Sequence, residues 1–259
     1  MLAALQQARG ICRSLAIYYG DRARHRRMQA LYARFLQPGD LAFDIGSHVG
    51  DRVQCFRALG CRVVAVEPQP ALLRVLRLLH GRAREVTIVH AAAGSTCGRL
   101  ALHLNLANPT IATASGDFIA AARDAPGWEG ERWTRRIEVP LVTLDSLIAA
   151  HGLPAFIKID VEGYEHDVLR GLSQAPPALS FEFTTIQREV ALACLRRCVE
   201  LGLGRFNAAL GESQAFVHAD WQDEAAMSAW LQGLPHAANS GDIYAVGHDT
   251  RWAGIGRVA

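Results

Sequence analysis

Leu41-Ala42-Phe43-Asp44-Ile45-Gly46-Ser47-His48-Val49-Gly50 is the stretch that decides how this 259-residue chain folds. It opens as a short apolar run of strand character and breaks at a glycine. From Val49 to Leu59 apolar residues return at helical spacing, at Val49, Val53 and Phe56. The reading is a strand, a tight turn and a helix. Glycines in such a turn let the backbone approach whatever sits over the strand end, and the first-turn amides of the helix point at the same spot. A ligand is expected there.

Asp44 decides which ligand. A dinucleotide turn needs three glycines as G-x-G-x-x-G and no negative charge, because a pyrophosphate lies on it. Here only Gly46 and Gly50 are present, and a carboxylate stands just before the first. A buried anion repels phosphate but attracts an ammonium or sulfonium group. The next apolar run, Arg62 to Glu67, ends in Glu67-Pro68, and an acid at the end of a second strand can accept both hydroxyls of a ribose. Ribose plus a cationic amino-acid end describes S-adenosyl-L-methionine, with S-adenosyl-L-homocysteine as its product.

The apolar fraction of 50% supports a substantial core, and no linker divides the chain into halves. A net charge of +2 implies no general attraction to nucleic acid. The six cysteines form no C-x-x-C pair and no zinc spacing, so they read as reduced thiols in core segments; Cys194 and Cys198 share the apolar face of one helix. No apolar run approaches the roughly 20 residues of a membrane span, and the expected location is the cytoplasm.

Residues 1–37 read as a helical extension, a lid or a homodimer face, broken near Gly20; residues 38–259 read as the catalytic domain. Arg22, Arg24, His25, Arg26 and Arg27 read as a solvated helix face. Ala71 to His80 is an amphipathic helix with Leu72, Val75, Leu76 and Leu79 inward. Val86 to His90 is a third strand, followed by Ala91, Ala92, Ala93 and Gly94, small residues that either pack tightly or leave room for a flat ring. Gly98 to Leu106 alternates apolar and polar and is expected to pair with Ile137 to Leu141. Between them Ala107 to Thr134, with Phe118, Trp128 and Trp133, reads as a mobile loop over an active site or a surface excursion, with the tryptophans exposed to cover substrate. Thr143 caps the next helix. Strands at Ala155 to Ile159, Ala178 to Phe183, Arg205 to Leu210 and Asp242 to Val246 alternate with helices, which calls for a mostly parallel sheet covered on both faces. The last strand follows without a clean crossover helix and reads as an antiparallel edge.

Asp44, Glu67, Asp160 and Glu182 all fall at carboxyl ends of these strands, the edge where open α/β sheets bind ligands. Four acids on one rim are hard to explain as packing, because such groups are rarely buried unless paired or bound. Lys158 lies on the face opposite Ile157 and Ile159 and is expected to pair with one of these acids. Methyl transfer from a sulfonium requires alignment, and a hydroxyl acceptor also requires a base. The candidates are Asp160, Glu162, His166 and Glu182, with Asp160 favoured and His48 a weaker choice. A divalent cation between Asp160 and Glu182 is another way to acidify a hydroxyl. No third ligand stands out, and no metal site is predicted.

Phe43-Asp44-Ile45-Gly46-Ser47-His48-Val49-Gly50, Val66-Glu67-Pro68-Gln69-Pro70, Val142-Thr143-Leu144-Asp145-Ser146-Leu147 and Ile157-Lys158-Ile159-Asp160-Val161-Glu162-Gly163-Tyr164-Glu165, with Val168-Leu169-Arg170-Gly171, follow one another in an order that resembles the FkbM family of S-adenosylmethionine-dependent methyltransferases. The resemblance runs from about Leu41 to Phe183, and the I-K-I-D-V-E-G run is its most specific part. It implies a class I methyltransferase (Rossmann-like) fold with a seven-stranded sheet whose last strand is antiparallel. It also implies O-methylation of hydroxyls on sugars, glycans or secondary metabolites. Carried over by position, Asp44, Gly46 and Glu67 hold the cofactor and Asp160 sits beside the methyl group. Ser47-His48 stand where the family often has Ala-Asn, and His48 takes over that polar contact. Asp44, Gly46, His48, Gly50, Glu67, Pro68, Ala92 and Asp160 are the candidate cofactor-binding residues.

Three competitors are weaker. A nucleic-acid amino methyltransferase presents Asp or Asn followed by Pro-Pro and an aromatic where this chain has Asp160-Val161-Glu162-Gly163. A nicotinamide oxidoreductase is disfavoured by Asp44. A non-catalytic cofactor-binding protein has no need of the acids near Asp160. A nitrogen or lipid acceptor remains the alternative to a hydroxyl.

Overall fold

The computed structural model describes residues 2–248. Two helices lead, α1 (Leu2–Gly20) and α2 (Arg22–Tyr32), the second capped by the Asp21 side chain, which accepts from the Ala23 and Arg24 amides. The first half of the main fold is β1 (Leu41–Ile45), α3 (Asp51–Ala58), β2 (Arg62–Val66), α4 (Pro70–His80) and β3 (Val86–Val89). A smaller insertion follows, with β4 (Ala92–Ala93), β5 (Gly98–Leu104), α5 (Gly116–Arg123) and β6 (Arg135–Val142). The remainder is α6 (Leu144–His151), β7 (Phe156–Ile159), α7 (Glu165–Arg170), β8 (Ala178–Thr184), α8 (Arg188–Glu200), β9 (Arg205–Leu210), α9 (Glu224–Gly233) and β10 (Ser240–Val246).

Seven strands form one sheet in the order β3-β2-β1-β7-β8-β10-β9. β1 lies parallel between β2 and β7, and all five of its residues are buried, as a strand covered on both faces requires. Phe43 and Ile45 face a core built with α6, α7, α8 and α9, whereas Ala42 faces one built with α2, α3 and α4. β10 is antiparallel to both β8 and β9. The last strand is therefore antiparallel as expected but is not an edge: it is inserted between its predecessors, and β9 takes the outer position.

A second sheet, β4-β6-β5, pairs β5 with β6 antiparallel, Gly98 opposite Leu141 and Leu102 opposite Ile137. The connection between those strands is neither a loose loop nor an exposed excursion. Ile111, Phe118, Ala122 and Trp128 make a small core of their own, and Trp133 donates its indole N–H to the Ile111 carbonyl at 2.7 Å. Edge-on packing of Phe118 against both tryptophans explains why aromatic residues recur in a polar stretch.

Other expectations shift for equally local reasons. On α4 the inward residues are Leu72, Leu73, Leu76 and His80, and Leu79 is exposed. Cys12 and Cys97 are exposed; the other four thiols are buried. Thr143 caps α6 in a reciprocal box with Ser146. Met28, Leu31 and Tyr32 of α2 are buried against Val53 and Phe56, so α2 is part of the core. α1 lies on the turn at Pro109, where a Cβ on Gly10 would meet the Pro109 ring.

Candidate active site

The β1 turn is shaped by its neighbour. Gly46 has φ +84°, and a Cβ there would overlap the carbonyl oxygen of Asp160 at the end of β7. Gly50 plays a different part from the one expected. At φ +85° it precedes α3, and a Cβ would meet Leu76 and the His80 ring, so it seats α3 on α4 and lies outside the cavity.

Beyond the carboxyl ends of β1, β2 and β7 opens a cavity. Asp44, Gly46, His48, Glu67, Pro68, Ala92, Asp160, Glu162 and Glu182 all line it. Asp44 is buried, its Oδ2 finds no partner among the described residues, and burial pushes its carboxyl up to about 7. Glu67 accepts the His48 amide at 2.9 Å and the Gln69 amide at 2.7 Å. Burial still carries the Glu67 carboxyl up to about 8. His48 has φ +50° and packs its ring edge-on to Tyr18; burial holds its imidazole down to about 4, so it is neutral at physiological pH. Ala91, Ala92 and Ala93 line one wall.

A second cavity adjoins the first and shares Asp160, Glu162 and Glu182 with it. Its own walls include Trp128, Thr184, Asn239 and Asp242. The buried Lys158 ammonium bonds Asp160 Oδ2 at 3.1 Å and Asp242 Oδ1 at 2.8 Å. Burial works to raise the Asp160 carboxyl, but Lys158, Arg52 and the hydrogen bonds from Lys158 and Glu182 together outweigh it, and the net shift is downward. Glu162 and Glu182 move the other way, raised by burial and then by the Asp160 charge. His166 is elsewhere: it sits on α7 in a groove with Arg170, Arg196 and Arg197, outside both cavities. It is removed from the catalytic candidates because β7 and α7 meet at a turn that brings Glu162, not the helix face, to the rim.

Several residues in or behind the cavity wall are ones the sequence did not single out for the site. Tyr18 reaches the site from α1. Arg24 is buried, not solvated, and joins Asp51 at 2.8 Å and Glu212 at 2.6 Å. Arg52 completes the network at 2.8 Å from Asp51. The pair Asp51-Arg52, immediately after Gly50, was visible as charge at a helix start; Glu212, in the turn after β9, was not.

The residues fit the ligand that the sequence implies. An orphaned buried carboxyl suits a cationic group, and Glu67 retains lone pairs for ribose hydroxyls. A seven-stranded sheet of this order, with its last strand reversed and acids ringing the carboxyl ends of β1, β2 and β7, defines a class I S-adenosyl-L-methionine-dependent methyltransferase. The family model for the methyltransferase FkbM domain matches residues 44–199, and the chain belongs to that family. Its cofactor is S-adenosyl-L-methionine.

No curated protein matches the chain. Among solved structures, it is similar to precorrin-6Y C5,15-methyltransferase from Geobacter metallireducens, at 14% identity over 85% of this chain and 87% of that one, with a TM-score of 0.42. A TehB-like SAM-dependent methyltransferase from Corynebacterium glutamicum is similar at 11% identity, covering 91% and 93%, with a TM-score of 0.44. Fibrillarin from Aeropyrum pernix, solved with natively bound S-adenosyl-L-methionine, is similar at 13% identity, covering 86% and 76%, with a TM-score of 0.43. No helix among the described residues is long and apolar enough to cross a membrane.

Proposed function

We propose that the protein transfers the methyl group of S-adenosyl-L-methionine to a hydroxyl oxygen of a sugar, glycan or secondary metabolite. The observation that carries this reading is the place of Asp160: it lines both cavities, and Lys158 keeps it ionised. Bound in the first cavity, the cofactor supplies a methyl group on a positively charged sulfur. Asp44 meets its cationic amino-acid end, Glu67 accepts from its ribose, and Ala91 to Ala93 leave space for its base.

The acceptor belongs in the second cavity. Thr184, Asn239 and Asp242 offer hydrogen-bonding groups and Trp128 an aromatic wall, a combination suited to a hydroxylated ring. Holding the two partners in line is worth about 7–11 kcal/mol of the barrier. Asp160 then accepts the hydroxyl proton as the carbon–oxygen bond forms, a contribution of about 10² to 10⁴ in rate.

The test is to incubate the protein with methyl-labelled cofactor and separate panels of sugars, glycans, polyhydroxylated metabolites, amines and lipids. Label on a hydroxyl oxygen, lost in Asp160→Asn with cofactor binding retained, supports the reading. Label on amines or lipids alone, or cofactor binding with no transfer to any panel, overturns it.

A further inference from the structure

We propose that Asp160, Glu162 and Glu182 form a binding site for one divalent cation, of the hard, oxygen-preferring class of Mg²⁺ and Mn²⁺, at the junction of the two cavities. One oxygen from each of the three carboxylates can be chosen so that all lie within 4.8 Å of one another. A hexacoordinate ion with oxygens at about 2.0–2.1 Å spans about 4 Å across its shell, so small side-chain adjustments close the three around it. The donors are all oxygen, with no thiol or imidazole in the group, which selects against zinc and copper.

Glu162 supplies the observation that proximity alone does not. It is only 6% exposed, it lines both cavities, and neither of its carboxylate oxygens accepts a hydrogen bond among the described residues. Its backbone is fixed by the Thr113 hydroxyl, which donates to the Glu162 carbonyl at 2.6 Å. A buried carboxyl without a donor ionises only where a cation meets it.

Charge counting identifies the cation as divalent. Lys158 is divided between Asp160 and Asp242, one positive charge against two negative. Arg24 and Arg52 are engaged by Asp51 and Glu212, two against two. Once a bound ion draws the protons from Glu162 and Glu182, no ion pair among the described residues is left over to neutralise either of them. A monovalent ammonium leaves a larger excess than a divalent ion does.

The chemical role, though not the binding itself, rests on the hydroxyl-acceptor reading. An acceptor oxygen touching the ion becomes more acidic. Its proton passes to an Asp160 oxygen, its electron pair forms the bond to the methyl carbon, and the carbon–sulfur pair stays on sulfur.

The experiment uses the full chain freed of metal with EDTA and titrated with Mn²⁺, free ion being followed by electron paramagnetic resonance, with and without S-adenosyl-L-homocysteine. One bound Mn²⁺ per chain, displaced by Mg²⁺ and weakened about tenfold or more in Glu162→Gln and in Glu182→Gln, is the expected result. His166→Gln serves as the control and should bind as the parent does. Circular dichroism checks that each variant folds; should one fail, the other decides. Absence of stoichiometric Mn²⁺ uptake, or uptake unchanged in both variants, overturns the site. Methyl transfer to a hydroxyl that persists in EDTA would sink the metal's role and leave the proposed function standing, whereas Mn²⁺ uptake without any hydroxyl methylation would leave the binding site standing and sink the proposed function together with the metal's role in it.

Discussion

Gly46 at the end of β1 and Asp160 at the end of β7 are packed so closely that no side chain fits between them: a Cβ on Gly46 would overlap the Asp160 carbonyl oxygen. The cofactor turn and the proposed base are thus one unit, since neither strand end can shift without the other. Gly46→Ala combines that overlap with φ +84° and should cost at least about 3 kcal/mol and abolish cofactor binding. Gly50→Ala, at φ +85° and against the buried side chains of Leu76 and His80 rather than backbone, should cost about 2–3 kcal/mol while the folded fraction binds normally. Urea unfolding and calorimetry separate the two.

Asp44→Asn keeps the shape of the side chain and removes its charge. Loss of one charge-assisted contact, worth about 1.5–3 kcal/mol, should weaken S-adenosyl-L-methionine by roughly 10- to 100-fold in calorimetry. The empty variant should be no less stable than the parent, because Asp44 Oδ2 has no partner to lose.

Glu67 sets a pH dependence whose sign is fixed. Its carboxyl is raised from 4.5 to about 8 in the folded chain. Folding therefore favours the protonated form, and that contribution is complete below pH 4.5 and lost as pH rises through about 8. Thermal melts of the empty protein should fall across this window more steeply than those of Glu67→Gln. On the proposed reading the cofactor's ribose meets the Glu67 carboxylate, so affinity should rise with pH and a proton should be released, which calorimetry in buffers of different ionisation enthalpy detects.

Arg24→Ala leaves Asp51 buried with Arg52 alone. Breaking such a pair costs about 3–5 kcal/mol, and the lower end applies because Arg52 remains at 2.8 Å. Combining Arg24→Met with Asp51→Asn should restore much of the loss in chemical unfolding, since no unpaired charge then stays buried.

His166→Ala should leave turnover with any identified acceptor unchanged, because His166 lies among Arg170, Arg196 and Arg197 away from both cavities. A large fall in kcat would return it to the catalytic set.

The sequence by itself determined the strand-turn-helix at Asp44 to Gly50, the Glu67 strand end, the pairing of Gly98–Leu106 with Ile137–Leu141 and the I-K-I-D-V-E-G rim, because each is a local pattern: period, turn chemistry and charge at a strand end. Only the tertiary structure decided that β10 enters between β8 and β9, that Trp128 and Trp133 close a small core, and that His166 and Gly50 lie outside the cavity. It alone brought Arg24, Asp51 and Glu212 together and set Glu162 beside Asp160 and Glu182. Those arrangements depend on contacts between residues far apart in the chain, where burial and charge compensation select the partner and no spacing in the sequence records it.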